Sequence, residues 1–364
     1  MKRIGLFFDR SYVDAHSCFT ELAKQLSLNG YLVDVYHIPN PYNPPPVFFD
    51  PNIRVLTFPR SKIEKLHFWA NLISSVNYKY IAVIGTPYEG IFLAYQISWL
   101  FRIPYFYLAD EIFDPLTGRH SIPERIRKRG ARINKNATAS IALGAERYDQ
   151  QARINGLLEN HRRFIIPNAP SGSPLKLRSH YFRDLFAISD SKPIVVFIGT
   201  LSWNLASGLF ELSKSFTNKP YHLVFHTRTK GLMGNELHPF VHISDIPIPS
   251  TMLNYVLSSA DIGLVLYDKD SKVEAENALT GGKIGNYLKN NLPLIAGNVE
   301  GLKFVEEKGI GVYLDNINNL DSAVNKIITN KNQYERNIAQ VYKKTFDYSL
   351  HFAEFMSYLK VVTE

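Results

Sequence analysis

The feature that most constrains this chain is a twofold alternation of short, unbroken apolar runs with helical stretches. In the first half the runs are IGLFF (4–8), YLVDVYHI (31–38), IRVLTF (53–58), YIAVIG (80–85), IPYFYLADEIF (103–113, ending in a polar turn), TASIALG (138–144) and RFIIPN (163–168). Helical stretches at 16–29, 88–101, 123–136 and 145–159 lie between them. Short apolar runs alternating with helices predict strands of a parallel sheet covered by helices on both faces. A proline-rich loop, PNPYNPPP (39–46), separates two of these strands and excludes regular structure there. This half is Rossmann-like.

Residues 169–192 have no buried-strand pattern, open with Pro, Ser and Gly, and read as an interdomain linker. A second alternation follows, with strands at 193–199, 221–227, 241–246, 261–267, 292–297 and 311–314, and helices at 204–217, 250–259, 282–290 and 300–308. The fold class expected is α/β, with two tandem doubly wound domains facing each other across a cleft at the carboxyl ends of their sheets. An aromatic-rich amphipathic stretch at 345–360 is expected to cross back onto the first domain. The expected domains are therefore 1–170 with 345–364, and 171–344. No internal repeat is visible.

Composition narrows the function classes. One cysteine, Cys18, excludes a disulfide framework and a cysteine-based zinc site. No run approaches the ~18 apolar residues of a membrane span. MKRIGLFFDR places an Asp directly after its apolar run, unlike a signal peptide. A cytoplasmic location is expected. The net charge of +8 is uneven: residues 1–175 hold 21 basic and 14 acidic side chains, and the remainder 20 and 19. The densest stretch runs through Arg125, Arg127, Lys128, Arg129, Arg132 and Lys135. Such a field attracts phosphorylated substrates or an anionic membrane surface, and is equally a solvated helix face. No zinc finger, RNP-type aromatic motif or basic-plus-heptad pattern indicates nucleic acid.

The segment NALTGGKIGNYLKNNLPLIAG (277–297) carries the most chemistry. Gly281 and Gly282 at a helix start offer backbone N–H groups that can cradle phosphate, and Lys283 adds a cation. Asn286 and Tyr287, one turn on, are expected to face the same region and to reach a ribose or base. The plainer reading of the glycine pair is a flexible helix N-terminus. Asp110, at the carboxyl end of a strand, is placed to act as general base, with Glu111 and His16 as alternatives. Asp110 could instead cap a helix or pair with Arg119 or Arg125, and His16 could cap the 16–29 helix.

These residues resemble the GT-B glycosyltransferases, specifically their GT4-like group. The pattern S-P-x-K-x-x-E-Y-x-A-x-G-x-P-V-I-A of that group is matched by Lys283, Tyr287, Pro293 and Ala296, with Asn286 where the family has Glu. In the first half, Pro104, Tyr107, Glu111 and Phe113 follow P-V-V-Y-D-x-H-E-L-F, with Asp110 at the position of the family's active-site His. The resemblance covers nearly the whole chain. It implies transfer of a sugar from a nucleotide-sugar donor to a glycan or lipid-linked glycan acceptor of the cell-surface polysaccharide type, at the inner face of the membrane.

The donor nucleotide would lie in the second domain against Gly199, Thr200, Gly281, Gly282, Lys283, Asn286 and Tyr287, with Arg228 and Lys230 in place of the family's cations. Asp268 and Glu274 would reach the donor sugar, and Asp14, Arg125 and Arg129 the acceptor. The group needs no metal or other cofactor. A nucleotide-sugar epimerase on the same scaffold, or a non-catalytic nucleotide- or glycan-binding subunit, are the alternatives.

Overall fold

The structure is a computed structural model that describes residues 1–11, 13–39, 46–74, 79–111, 123–199, 201, 208–210, 213–214, 216–227, 239–267, 278–297 and 299–364. The chain forms two compact units, Met1–Pro167 with Tyr348–Glu364, and Asn168–Asp347. Both are Rossmann-like, with parallel sheets of seven and six strands.

The first unit contains β1 (Arg3–Phe7), α1 (Ser17–Leu28), β2 (Leu32–His37), β3 (Ile53–Thr57), α2 (Lys62–Ser74), β4 (Tyr80–Gly85), α3 (Glu89–Phe101), β5 (Tyr105–Ala109), α4 (Glu124–Lys135), β6 (Ala139–Ala142), α5 (Ala145–Asn155) and β7 (Arg163–Ile165). Its strands pair in the order β3-β2-β1-β4-β5-β6-β7. Strand side chains alternate between two cores. Ile4 and Leu6 of β1 pack with α1, whereas Phe7 packs on the opposite face with residues of α2 and α3. Burial on both faces is why these strands read as apolar runs rather than as an alternation.

Helix α2 is one of the elements that the sequence reading does not place, as are the helices at Leu320–Thr329 and Lys331–Val341. Phe68 and Leu72, one turn apart, face the core, yet Ile63, Leu66 and Ile73 are exposed on the other side. Apolar residues around much of the helix blur the 3.6-residue period.

The second unit contains a short helix, α6 (Tyr181–Phe186), inside the stretch expected to be irregular, then β8 (Ile194–Ile198), β9 (His222–His226), β10 (Val241–Ser244), α7 (Ser250–Leu257), β11 (Ile262–Leu266), α8 (Gly282–Lys289), β12 (Leu294–Gly297), α9 (Phe304–Glu307), β13 (Gly311–Leu314), α10 (Leu320–Thr329) and α11 (Lys331–Val341). The sheet order is β10-β9-β8-β11-β12-β13. In each sheet the order reverses once, between β1 and β4 and between β8 and β11. Such a reversal opens a crevice at the carboxyl ends of the strands, because the flanking connections diverge to opposite faces.

The chain then returns to the first unit as α12 (Tyr348–Thr363). Phe355 is fully buried there, edge-on to Phe106 of β5 at 5.1 Å and to Phe164 of β7 at 5.3 Å. Among the described residues no helix is long and apolar enough to cross a membrane. Phe355→Ala leaves a cavity between helix and sheet, and is expected to lower unfolding free energy by about 3–5 kcal/mol in urea titration.

Candidate functional site

Each unit carries a cluster of chemically capable residues at its strand-order reversal. In the first unit, β1 runs straight into Asp9 and Arg10. Asp9 caps α3 from outside that helix: its Oδ2 accepts hydrogen bonds from the backbone N–H of Tyr88 (2.9 Å) and Glu89 (2.8 Å). Its Oδ1 accepts from the Thr86 hydroxyl, which follows β4, and from Arg10 Nη1, both at 2.7 Å. Gly90 makes this close approach possible, since a Cβ there would lie 2.2 Å from the Phe7 carbonyl oxygen.

Arg10 then turns to β5. Its Nε donates to Asp110 Oδ2 at 2.9 Å and its Nη2 to Oδ1 at 3.4 Å, while Glu111 Oε2 lies 3.8 Å from Nη2. Asp110 is 2% exposed, and the Arg147 guanidinium of α5 donates to its backbone carbonyl. Burial pushes the Asp110 carboxyl up to about 6, opposed by the Arg10 charge and reinforced by the neighbouring charges of Glu111 and Asp9. Burial also raises Asp9, against the pull of Arg10. Asp110 therefore pairs with Arg10, and not with Arg125. The Glu111 side chain, 37% exposed, is the carboxylate of this group that reaches solvent.

The other first-unit candidates are spread around this cluster. Asp14 is largely buried in a single 3-10 turn, Val13–Ala15. His16 occupies the cap position of α1 with no capping bond from its ring, which packs 5.5 Å from Phe19. Arg125 and Arg129 lie on the exposed face of α4, with Arg129 over the Phe92 ring at 4.3 Å.

In the second unit, β8 is followed directly by Gly199, whose φ of +136° suits glycine. Gly281 caps α8 and Gly282 begins it. Lys283, the next residue, reaches back across Gly199: a Cβ on that glycine would lie 2.8 Å from Lys283 Cε and 3.0 Å from Nζ. The structure thus brings Gly199, Gly281, Gly282 and Lys283 together at the carboxyl ends of β8 and β11. Asn168 and Ala169 pack against the start of α8. A Cβ on Gly285 would lie 2.5 Å from the Ala169 Cβ, and Asn168 Nδ2 donates to the Thr280 carbonyl at 3.4 Å.

One expectation for α8 is corrected. Tyr287 is fully buried and faces the sheet rather than the phosphate-cradling end of the helix. Its ring lies over Gly263 of β11, where a Cβ would approach to 2.5 Å, and its hydroxyl accepts from the Ile198 N–H (2.8 Å) and donates to the Val196 carbonyl (3.1 Å). It locks α8 to β8. Asn286, 4% exposed, donates its Nδ2 to the Gly282 carbonyl at 2.8 Å, one turn back in its own helix, and so braces the helix start. Thr200, Arg228, Lys230, Asp268 and Glu274 lie outside the described residues, as does Arg119.

Sequence reasoning missed Asp9, Arg10 and Asn168. A signal existed for the first two: adjacent opposite charges at the end of the first buried run mark the strand end at which an α/β sheet concentrates polar chemistry.

No protein-family profile matches the chain, and no curated protein sequence does. Solved structures do. Sucrose-phosphate synthase (tll1590) from Thermosynechococcus elongatus superposes with a TM-score of 0.69 at 16% identity, covering 99% of this chain and 100% of the other. A glycosyltransferase from Rickettsia africae ESF-5 gives 0.68 at 12% identity, covering 100% and 99%. Anabaena Alr3699/HepE in complex with UDP-glucose gives 0.65 at 13% identity, covering 99% and 100%. The fold is GT-B, two Rossmann-like domains in one chain.

The raised Asp110 carboxyl has a signed consequence. The folded state keeps its proton up to about pH 6, whereas an unfolded aspartate releases it near ~3.9. The group therefore favours folding at low pH, and this contribution is lost as pH rises from about 4 to about 6. Relative to Asp110→Asn, the wild type should gain about 1.5–2 kcal/mol of stability between pH 6.5 and 4.5. Guanidinium unfolding of both proteins across that range measures it. A flat difference would mean that Asp110 ionises like an exposed aspartate.

Proposed function

We propose that this protein is a nucleotide-sugar-dependent glycosyltransferase of the GT4-like group. The observation that carries the reading is the convergence of Gly199, Gly281, Gly282 and Lys283 at the carboxyl ends of β8 and β11. Backbone donors at a helix start, two glycines without side chains and one ammonium suit a diphosphate, whose charge grows as the sugar leaves. Support comes from the fold, shared with a protein solved with UDP-glucose. The second unit then holds the donor, with Thr200, Arg228 and Lys230 completing the diphosphate contacts and Asp268 and Glu274 reaching the sugar.

The first unit receives the acceptor, a glycan or lipid-linked glycan. Glu111 is the carboxylate that takes the acceptor proton, or orients its hydroxyl, while Asp9, Arg10 and Asp110 fix its position. His16 is the second candidate base. Asp14 and the α4 cations Arg125 and Arg129 bind the acceptor, and the exposed cationic face of α4 meets an anionic membrane surface at the cytoplasmic side. Transfer proceeds without a metal, so EDTA leaves it unchanged.

A thermal-shift panel of UDP, GDP, ADP, CMP and TDP with their sugars tests the donor site. A ligand at a hundredfold excess over Kd adds about 2.7 kcal/mol to stability. One nucleotide should stabilise the wild type, and Lys283→Met should abolish that shift. Glu111→Gln should retain the shift and lose transfer by two orders of magnitude or more. Conversion of donor with no acceptor present would make the protein an epimerase, and binding without turnover would make it a binding subunit.

A further inference from the structure

One side of α2 belongs neither to its core stripe nor to its exposed aliphatic one. Glu64, His67 and Asn71 fall at i, i+3 and i+7 and so share a face of the helix, with Phe68 at its border with the core. This face stands over the edge of the first sheet, where β2 and β3 end in register, Tyr36 opposite Leu56 and His37 opposite Thr57. Helix and strand ends together enclose a cavity of about 250 Å³.

The floor of the cavity is apolar. It is formed by Tyr36, Leu56 and Pro59, with Phe68 as a wall. Tyr36 is held in place: its ring stacks on Phe7 at 4.7 Å and meets Phe68 edge-on at 5.6 Å. Its hydroxyl lies 3.0 Å from that of Tyr80, which donates to the buried Asp34 at 3.0 Å. The rim is polar. Thr57, His67 and Asn71 bring a hydroxyl, an imidazole and a carboxamide to it, and among the described residues none of these three side chains is engaged in a hydrogen bond. Glu64 is engaged at the start of α2, where its Oε2 accepts from the backbone N–H of Arg60 and of Ser61, each at 2.8 Å. The lining residues include no lysine or arginine.

These features select a class of ligand. A lipid chain would strip water from three polar groups and return no hydrogen bond. A phosphate would find no cation and would face the Glu64 carboxylate. A pyranose ring suits both halves, because the bare C–H groups of its faces cover the floor while hydroxyls around its edge donate to and accept from the rim. The volume lies below the ~300–1,000 Å³ of pockets for drug-sized ligands, and so admits a single ring.

We propose that this cavity is a saccharide subsite that holds a sugar of the acceptor glycan away from its reacting end. The proposal rests on the reading of the first unit as the acceptor unit. Strand β3 is two strands from β1 and four from β5, roughly 10 and 19 Å at about 4.8 Å per strand. The sugar bound here is therefore a different one from that presented to Glu111, and the subsite selects which glycan is taken.

Saturation-transfer NMR on the full chain tests the subsite, with the methyl glycosides of glucose, galactose, mannose and N-acetylglucosamine as probes and hexanol and inorganic phosphate as controls. At least one glycoside should receive magnetisation and shift the His67 imidazole resonance, assigned by its loss in His67→Ala. His67→Ala and Asn71→Ala, both at exposed positions, should each weaken that glycoside roughly threefold to tenfold. Ser74→Ala, on α2 outside the cavity, should bind as the wild type does. Thermal unfolding verifies that each variant is folded. A glycoside that keeps its affinity in His67→Ala and Asn71→Ala but loses it in Glu111→Gln would overturn the subsite and leave the acceptor reading standing. Binding of none of the four glycosides, or a His67 resonance that answers hexanol or phosphate instead, also overturns the subsite. The acceptor reading itself falls only if donor turns over without any acceptor.

Discussion

A parallel sheet covered by helices on both faces has almost nowhere to put a polar group except its strand ends. That constraint organises this molecule. The interiors of β1, β8 and β11 are buried and largely aliphatic or aromatic, so chemistry is displaced to residues that follow them: Asp9 and Arg10, Gly199, and the turn leading to α8. The reversal of strand order then selects which ends matter, since only there do the flanking helices leave room. The clusters at β1/β4/β5 and at β8/β11 are separate answers to the same geometric demand.

The two answers differ in kind. The first unit gathers formal charges and buries them. One guanidinium serves Asp9, Asp110 and Glu111, and burial, reinforced by the charges of Glu111 and Asp9, explains the displaced Asp110 acidity. Buried ion pairs stabilise weakly on balance, but removing one partner is severe because the other is stranded. The value of the arrangement is geometric: Asp9 ties β1 to the start of α3, and Arg10 ties both to the end of β5. Among the described residues, the second unit combines backbone dipoles at a helix start, glycines without side chains and Lys283.

Much of this was legible in the residues. The strands were, because double-sided burial writes unbroken apolar runs, and so was the start of α8, because Gly281, Gly282 and Lys283 are adjacent. What sequence could not give was direction. Tyr287 fits a nucleotide contact by type, yet Gly263, 24 residues earlier in β11, clears a space into which its ring turns. Asp110 suggests a base by position, but its partner Arg10 is 100 residues away in the chain. Helix α2 escaped because its outward face is as aliphatic as its inward one, and α6 because six residues are too few to establish a period. In each case the deciding partner is distant in sequence, or the local pattern is ambiguous.

Helix α12 has a consequence for how the protein is made. The first unit is complete only when residues 348–363 have packed beside β5 and β7, yet the whole second unit is encoded in between. On a ribosome adding ~5–20 residues per second, the nascent first unit waits on the order of ten to thirty seconds with one flank of its sheet uncovered. The second unit, continuous in sequence, has everything it needs to fold during that interval. The unit whose strands are made first is therefore sealed only after the other unit has been made.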